Sequence, residues 1–317
     1  MTAAFWQRAV RWLLCIGACG GFALADAAEL ETTVFAVIGD APYSHAEEPV
    51  FLDLVQALNK EGLAFVVHVG DFKSGSSPCD DATYAQRRKW FDGSAHPLIY
   101  TPGDNEWTDC YRRDAGGYDP LARLAKLRDV FGLRDAHSLG QRRIALARQA
   151  QAGYPENARW RHGPALLATL NIQGSNNGYA LSASPYRVAT DDEFARRSAA
   201  NKAWMREAAE LARADGGIAV LFLCLQADPL TGEPGFREFL FELRAIAATL
   251  QKPVVVVHGD THEFHFDQPF RDPASGKTIA NLWRIETWGS PWVGWVRVTL
   301  RPGTAPPFLT VEQFRRQ

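Results

Sequence analysis

The chain has 317 residues, 46% hydrophobic and 22% charged, an ordinary globular composition that excludes a disordered, collagenous or heptad-built protein. Its 34 Lys+Arg stand against 36 Asp+Glu, a formal net charge of -2, so no general electrostatic pull toward nucleic acid or anionic membrane is expected.

The chain opens with Arg8 and Arg11, continues with an apolar run from Trp12 to Leu24, and reaches the small-residue triplet Ala23-Leu24-Ala25. That order is the order of a secretory signal peptide, so residues 1–25 are expected to be removed on export to the periplasm or beyond. The run is shorter than the ~20 residues that span a bilayer, and no later segment is long and apolar enough to serve as one. Ile16-Gly17-Ala18-Cys19 also resembles a lipoprotein box, in which case Cys19 would carry the lipid. In an oxidising compartment cysteine pairs persist. Cys79 and Cys110 both sit in polar loop contexts, and a disulfide between them is expected, the alternative being two separate thiols; Cys224 lies in an apolar run and reads as a buried free thiol.

Residues 33–38 form a β-branched, non-alternating run expected to be a buried strand. Residues 49–59 carry apolar side chains at helical spacing, 63–69 form a second strand, and 80–91 a helix capped by Asp80 or Asp81. A third strand is expected over 97–101 and a basic amphipathic helix, read as a solvated face, over 121–131. Residues 132–163 hold no clear strand and look like an irregular insertion. Strands then fall at 165–172, 218–225 and 253–257; helices run from a cap at Asp191 or Asp192 to 214 and over 235–250. Short segments at 264–266, 279–285, 295–300 and 308–311 look like antiparallel strands closing a sheet. With no repeat and no linker, residues 26–317 read as one α/β domain of mixed sheets covered by helices.

Four of the apolar strands end in the same dipeptide: Gly39-Asp40, Gly70-Asp71, Gly103-Asp104 and Gly259-Asp260, the only Gly-Asp pairs in the chain. Glycine lets a strand leave its sheet sharply, and the carboxyl ends of strands are where open α/β sheets bind ligands. Neighbouring strands would gather four carboxylates in one crevice, where they must take up protons, find cations or stay in solvent. Oxygen donors suit hard divalent ions such as Mg, Mn or Ca. Asp260 and His262 share a face of an extended segment, and so reach toward one ion or two adjacent ones.

In order and spacing these motifs resemble those of the calcineurin-like metallophosphoesterases across nearly the whole mature chain. Asp40-Ala41-Pro42 falls at that family's first motif and Gly70-Asp71 at its second. Gly103-Asp104-Asn105-Glu106 falls at the third and Gly259-Asp260-Thr261-His262 at the last, while Gln226 stands near the place of a lone histidine. The resemblance implies a four-layer α/β/β/α sandwich of two mixed sheets flanked by helices, with two divalent metal ions between the sheets. It implies that Asp40, Asp71 and His262 hold one ion, and that Asp71 bridges to a second held by Asp104, Asp260 and Gln226. It further implies hydrolysis of a small phosphate mono- or diester by a metal-activated water.

The departures from the pattern are Pro42, Asp104, Asp260 and Gln226 where ligand residues of other types would stand, and Asn105 where a histidine would assist the leaving group. Asparagine is no general acid, and His265 is the candidate substitute. Two of the changes add carboxylates, as expected of a repurposed rather than a decayed site. Lys73, Glu106 and Arg112 lie just beyond the strand ends and are candidate substrate contacts. The loop 174–178 is a further source of amide donors, and Trp288, Trp292 and Trp295 are candidates for stacking on a ring or for packing. The missing acid also admits a catalytically inactive metal- or anion-binding envelope protein on the same fold. No Gly-x-Ser-x-Gly elbow, glycine-rich phosphate loop or basic aromatic patch points to other chemistry or to nucleic acid.

Overall fold

The computed structural model describes residues 7–12, 32–301 and 309–316. The expected lipoprotein box and cleavage site lie outside them. Among the described residues no helix is long and apolar enough to cross a membrane.

Two mixed sheets stack face to face. The first runs in the order β1 (Gln7–Trp12), β13 (Leu309–Arg316), β12 (Val293–Leu300), β2 (Thr33–Ile38), β3 (Phe65–His68), β4 (Leu98–Tyr100). The second runs β10 (His265–Asp267), β11 (Leu282–Glu286), β9 (Val254–His258), β8 (Val220–Cys224), β7 (Ala165–Thr169), β6 (Tyr154–His162), β5 (Ala147–Gln149). The segments β2, β3 and β4 are mutually parallel, as are β11, β9, β8 and β7. Parallel neighbours require crossovers, and helices supply them.

Three apolar cores define four layers. Side chains alternate across a strand, so Phe35, Val37, Phe65 and Val67 meet Leu167, Phe222, Val255 and Val257 between the sheets. Ala36, Ile38 and Val66 face outward under the helices Glu47–Leu58, Asp81–Asp92 and Pro120–Val130. Leu166, Leu221, Leu223 and Val254 do the same beneath Arg187–Ala214 and Arg237–Thr249. Strands covered on both faces must be apolar on both, and this is why their sequences do not alternate.

The helix over Glu47–Leu58 buries Phe51, Leu54, Val55 and Leu58 at the spacing that the sequence displays. Asp80 caps Asp81–Asp92 by accepting from Thr83 N at 2.7 Å. The helix Pro120–Val130, expected to be a solvated face, instead buries Leu124 and Leu127 in the first outer core. The long helix starts at Arg187, not at a cap near 191; Asp191 lies inside its second turn and accepts from Ala180 N at 2.7 Å. Residues 132–163 are not a strandless insertion, because β5 and β6 extend the second sheet from its edge. Arg159 and Arg161 on β6 point away from the core, and their charge hid the strand. The C-terminal strands do not close a single antiparallel sheet: β11 pairs parallel to β9, while β12 and β13 join the first sheet.

Cys79 and Cys110 form a disulfide, and Cys224 is buried and free. The bridge joins the loops that follow β3 and β4 across a sequence separation of 31. A loop of that size corresponds to about 3.5 kcal/mol of chain-entropy stabilisation. The Cys79→Ser/Cys110→Ser protein is therefore expected to unfold at lower urea with a free energy reduced by about that amount, measured with and without reductant on the parent.

Candidate metal centre

The strand-end aspartates converge. Asp40, Asp71 and Asp104 follow parallel strands of the first sheet and Asp260 follows β9 of the second, all near the carboxyl edges of those strands. Gln226, just past β8, stands between them. Its Oε1 accepts from Gly174 N at 2.6 Å, which fixes the amide orientation and turns Nε2 toward the carboxylates. Nε2 lies 3.4 Å from each of Asp40 Oδ1, Asp71 Oδ2 and Asp260 Oδ1. Asp260 N donates to Asp40 Oδ1 at 3.1 Å, and Asp228 N to Asp260 Oδ2 at 2.8 Å. Asp104 and Asp260 flank Gly174, where a Cβ would stand 2.7 Å from Asp104 Oδ1 and 3.0 Å from Asp260 Oδ1.

The glycines serve this convergence in a way their expected turning role does not describe. Gly103, which precedes Asp104, makes room for Asp71: a Cβ there would meet Asp71 Oδ1 at 2.1 Å. Gly259, which precedes Asp260, makes room for Asp40, whose Oδ2 would lie 1.8 Å from such a Cβ. The sharp exit falls mainly on the acids, since Asp40, Asp71 and Asp260 have φ of 51°, 58° and 81°. Aspartate tolerates the left-handed region better than most residues.

Asn105 and the unforeseen Tyr43 form a donor layer over Asp71. Asn105 N donates to Asp71 Oδ1 at 3.1 Å, while Asn105 Nδ2 at 2.7 Å and Tyr43 OH at 2.9 Å donate to Oδ2. His262 approaches from the other sheet, with Nε2 3.3 Å from Tyr43 OH and 3.9 Å from Asp40 Oδ1. The Ser290 carbonyl lies 2.6 Å from His262 Nδ1 and can only accept, so Nδ1 carries the proton and Nε2 presents its lone pair inward. Burial holds His262 below the usual imidazole range, in keeping with a neutral ring.

At the rim, Ser175 Oγ lies 2.8 Å from Asp104 Oδ2 and 2.9 Å from Asp109 Oδ2. Arg112, its side chain 46% exposed, reaches Asp109 Oδ2 at 2.6 Å and Ser175 Oγ at 3.3 Å, and so stands at the mouth. The turn that carries Ser175 is left-handed at Ser175, Asn176 and Asn177. It is pinned by the fully buried Arg197, which donates to Asn177 O at 2.8 Å, to Asn177 Oδ1 at 2.6 Å and to Asn171 O at 2.9 Å.

Three expected site residues have other work. Lys73 is fully buried and donates to the Ser74 and Ser77 carbonyls at 2.9 Å each, folding its own loop rather than facing a ligand. Burial pushes its ammonium down to about 8. Glu106 is also buried; its Oε1 accepts from Asp71 N at 3.0 Å and from Gly103 N and Tyr100 OH at 2.8 Å each, tying the second and third strand ends together. His265 lies on β10 with Nδ1 2.9 Å from Glu286 Oε2, in a cluster separate from the Tyr43–Asn105 layer. The tryptophans pack: Arg315 is sandwiched by Trp288 at 4.3 Å and Trp292 at 4.4 Å, and Trp295 stacks on Phe314.

Burial and mutual repulsion make these gathered carboxylates harder to ionise. Burial and then the Asp260 charge raise Asp40 well above the carboxylate range; burial and then Asp104 do the same to Asp71. The same two causes push Asp260 up to about 7 and Asp109 up to about 8. A protonated Asp109 resolves the contacts of Ser175, whose single hydroxyl proton cannot serve two carboxylates. Groups raised in the folded state contribute stability that is present below their unfolded values near 4 and lost as pH rises through 7 to 8. Chelator-treated protein is thus expected to lose at least ~2 kcal/mol between pH 5.5 and 8.5. Added Mg or Mn should recover more at pH 8.5 than at pH 5.5. Urea unfolding at the two pH values reads both effects, and stability rising with pH would show these acids to be ionised at little cost.

Among the described residues, no three His, Cys, Asp or Glu side chains form a ready-made metal cage. The Gln226 and Asn105 amides stand between the acids as donors, and ligation through Gln226 Oε1 would require that amide to turn over. The donor chemistry nevertheless fits hard cations: oxygen-rich, buried, with Asp40 Oδ2 lacking any hydrogen-bond partner.

The sandwich is similar to that of a dimetal phosphatase from Danio rerio, at 13% identity and a TM-score of 0.56, over 89% of this chain and 96% of that one. It is similar also to PhoD, at 15% identity and a TM-score of 0.55, over 88% of this chain and 65% of that one. No protein-family model and no curated protein matches the chain in sequence. Two mixed sheets flanked by helices thus give the chain the α/β sandwich fold that it shares with this dimetal phosphatase, at low sequence identity.

Proposed function

We propose that the chain is an exported, divalent-metal-dependent phosphoesterase acting on a small phosphate mono- or diester. The observation that carries this reading is the meeting of three strand-end carboxylates on one atom, Gln226 Nε2, with Asp104 beside them across Gly174. The likeness to a dimetal phosphatase supports it, and the disulfide supports export to an oxidising compartment. Asp40, Asp71, Asp104, Asp260 and His262 Nε2 would hold two hard divalent ions. When bound, such ions polarise phosphoryl oxygens and lower the pKa of a water.

The chain's own residues do the remaining work. Arg112 offers a half-exposed guanidinium to substrate phosphoryl oxygens at the mouth. Asn105 and Tyr43 hold the Asp71 carboxylate and keep it oriented. Ser290 fixes the His262 tautomer, as partners of metal-binding histidines do. Turnover of p-nitrophenyl phosphate and its bis-ester that rises with Mg, Mn or Ca and vanishes with chelator is the expected result. Tight metal binding with no turnover of any ester would favour the alternative, an inactive metal- or anion-binding envelope protein. That alternative draws on the Gln226 and Asn105 amides, which fill places where ligands or an acid would stand.

A further inference from the structure

Glu286 ends β11, and its side chain is fully buried. Its Oε1 accepts from Thr261 N at 3.0 Å and also from Thr261 Oγ1. Its Oε2 faces His265 Nδ1 at 2.9 Å, Arg284 Nη1 at 3.8 Å and His258 Nε2 at 3.9 Å. Arg284 is itself fixed by a two-pronged contact with Asp267 at 2.9 and 2.8 Å. The carboxylate is therefore held on one side and grips Thr261 with the other.

Thr261 separates Asp260 from His262, and both neighbours are left-handed, with φ of 81° and 68°. Two such non-glycine residues in one turn persist only where the surroundings over-determine them. The loop after Glu286 adds further restraints: Gly289 N donates to His262 O at 3.4 Å and the Ser290 carbonyl takes His262 Nδ1–H at 2.6 Å. Gly289 is also the close-approach point, since a Cβ there would stand 2.5 Å from Asp40 Cβ and 2.6 Å from His262 Cδ2. The end of β11 thus forms a template on which the Asp260–His262 turn is moulded.

We propose that Glu286 is a positioning residue that holds the Asp260-Thr261-His262 turn in its strained shape, so that Asp260 and His262 point at the same space. Its consequence for metal binding rests on the metal-centre reading; its hold on the turn does not. His265 belongs to this device, steadying Glu286 from the rim rather than touching substrate.

The test uses the full chain, treated with chelator, and three variants. In Glu286→Ala, hydrogen exchange at the Thr261 amide, which donates to Glu286, is expected to quicken at least about tenfold, while β9 from Val254 to Val257 keeps its protection. Mn affinity by titration should weaken about 10- to 100-fold, the usual effect of losing a partner of a metal ligand. Thr261→Val, which removes one of the two donors, should show a smaller change of the same kind, and Thr261→Ser should restore parent behaviour. A folded Glu286→Ala protein with parent exchange and parent Mn affinity overturns the proposal. So does a Thr261→Ser protein as impaired as Thr261→Val. If Glu286→Ala does not fold, the Thr261 pair decides the matter. If the parent binds no Mn, the metal-centre reading falls, and the exchange rates alone decide whether Glu286 holds the turn.

Discussion

Asp71→Asn should abolish divalent-metal binding and lower phosphoesterase turnover by about 10³-fold or more while leaving the metal-free fold intact. Asp71 accepts from Asn105 N, Asn105 Nδ2, Tyr43 OH and the Gln226 amide, and it is 3% exposed. Asparagine is nearly the same shape but carries no charge, and its NH2 would face either the Asn105 backbone donor or the Tyr43 and Asn105 side-chain donors. The loss in turnover follows from removing a charge that acts on the reacting centre, where single electrostatic contacts are worth ~10²–10³-fold and a shared ligand more. Stability should move less, and upward at alkaline pH, because one of several mutually repelling acids has been neutralised. The paired readout is Mn titration and p-nitrophenyl phosphate turnover against urea unfolding at pH 8.5. An Asp71→Asn protein with parent turnover removes the proposed centre altogether; one that is strongly destabilised without its metal shows Asp71 to be a structural acid.

The core strands were legible because burial on both faces writes itself as unbroken apolar runs. The β2 bounds are those expected, and β3, β4, β8 and β9 fall inside their expected runs apart from a one-residue extension of β9 to His258. The convergence of aspartates was legible because four distant strands share one ending. Charge was the poor guide. Lys73 and Glu106 sit in polar stretches that suggest solvent, yet both are fully buried, Lys73 donating to carbonyls of its own loop and Glu106 accepting from backbone amides of two strand ends. Nothing local distinguishes a lysine that closes its own loop from one that greets an anion. Tyr43 carries no local signal, because its partners Asp71 and Asn105 lie 28 and 62 positions away. Gln226 does stand among the strand-end acids, but the direction of its amide depends on Gly174, which only the folded chain brings near. Glu286 stands one residue past the strand expected over 279–285 and carries no signal of its own, since the turn that it grips belongs to a different element.

Hydrolysis should depend steeply on the leaving group, with alkyl phosphates trailing p-nitrophenyl phosphate by about 10³-fold in kcat/KM. A positioned general acid contributes roughly 10²–10⁴-fold, most of it for poor leaving groups. The proton-bearing groups around the site are otherwise committed, and Asp109 at the rim is engaged by Ser175 and Arg112. Asn105 offers only an amide; Lys73 is bound to two carbonyls; His265 faces Glu286; His262 gives its one proton to Ser290. Tyr43 remains, but burial and the neighbouring Asp71 charge raise its phenol well above its ordinary value, and its hydrogen bond is spent on Asp71. A series of aryl and alkyl phosphates under a fixed Mn concentration reads the slope. Asn105→His should then speed alkyl esters by at least about tenfold and leave the p-nitrophenyl ester little changed, because only the poor leaving group gains from a proton. A flat dependence on leaving-group acidity in the parent would show that an acid is already in place. In that event Tyr43→Phe identifies it: steepening of the slope assigns the proton to the phenol, and an unchanged flat slope assigns it to a group other than those named here.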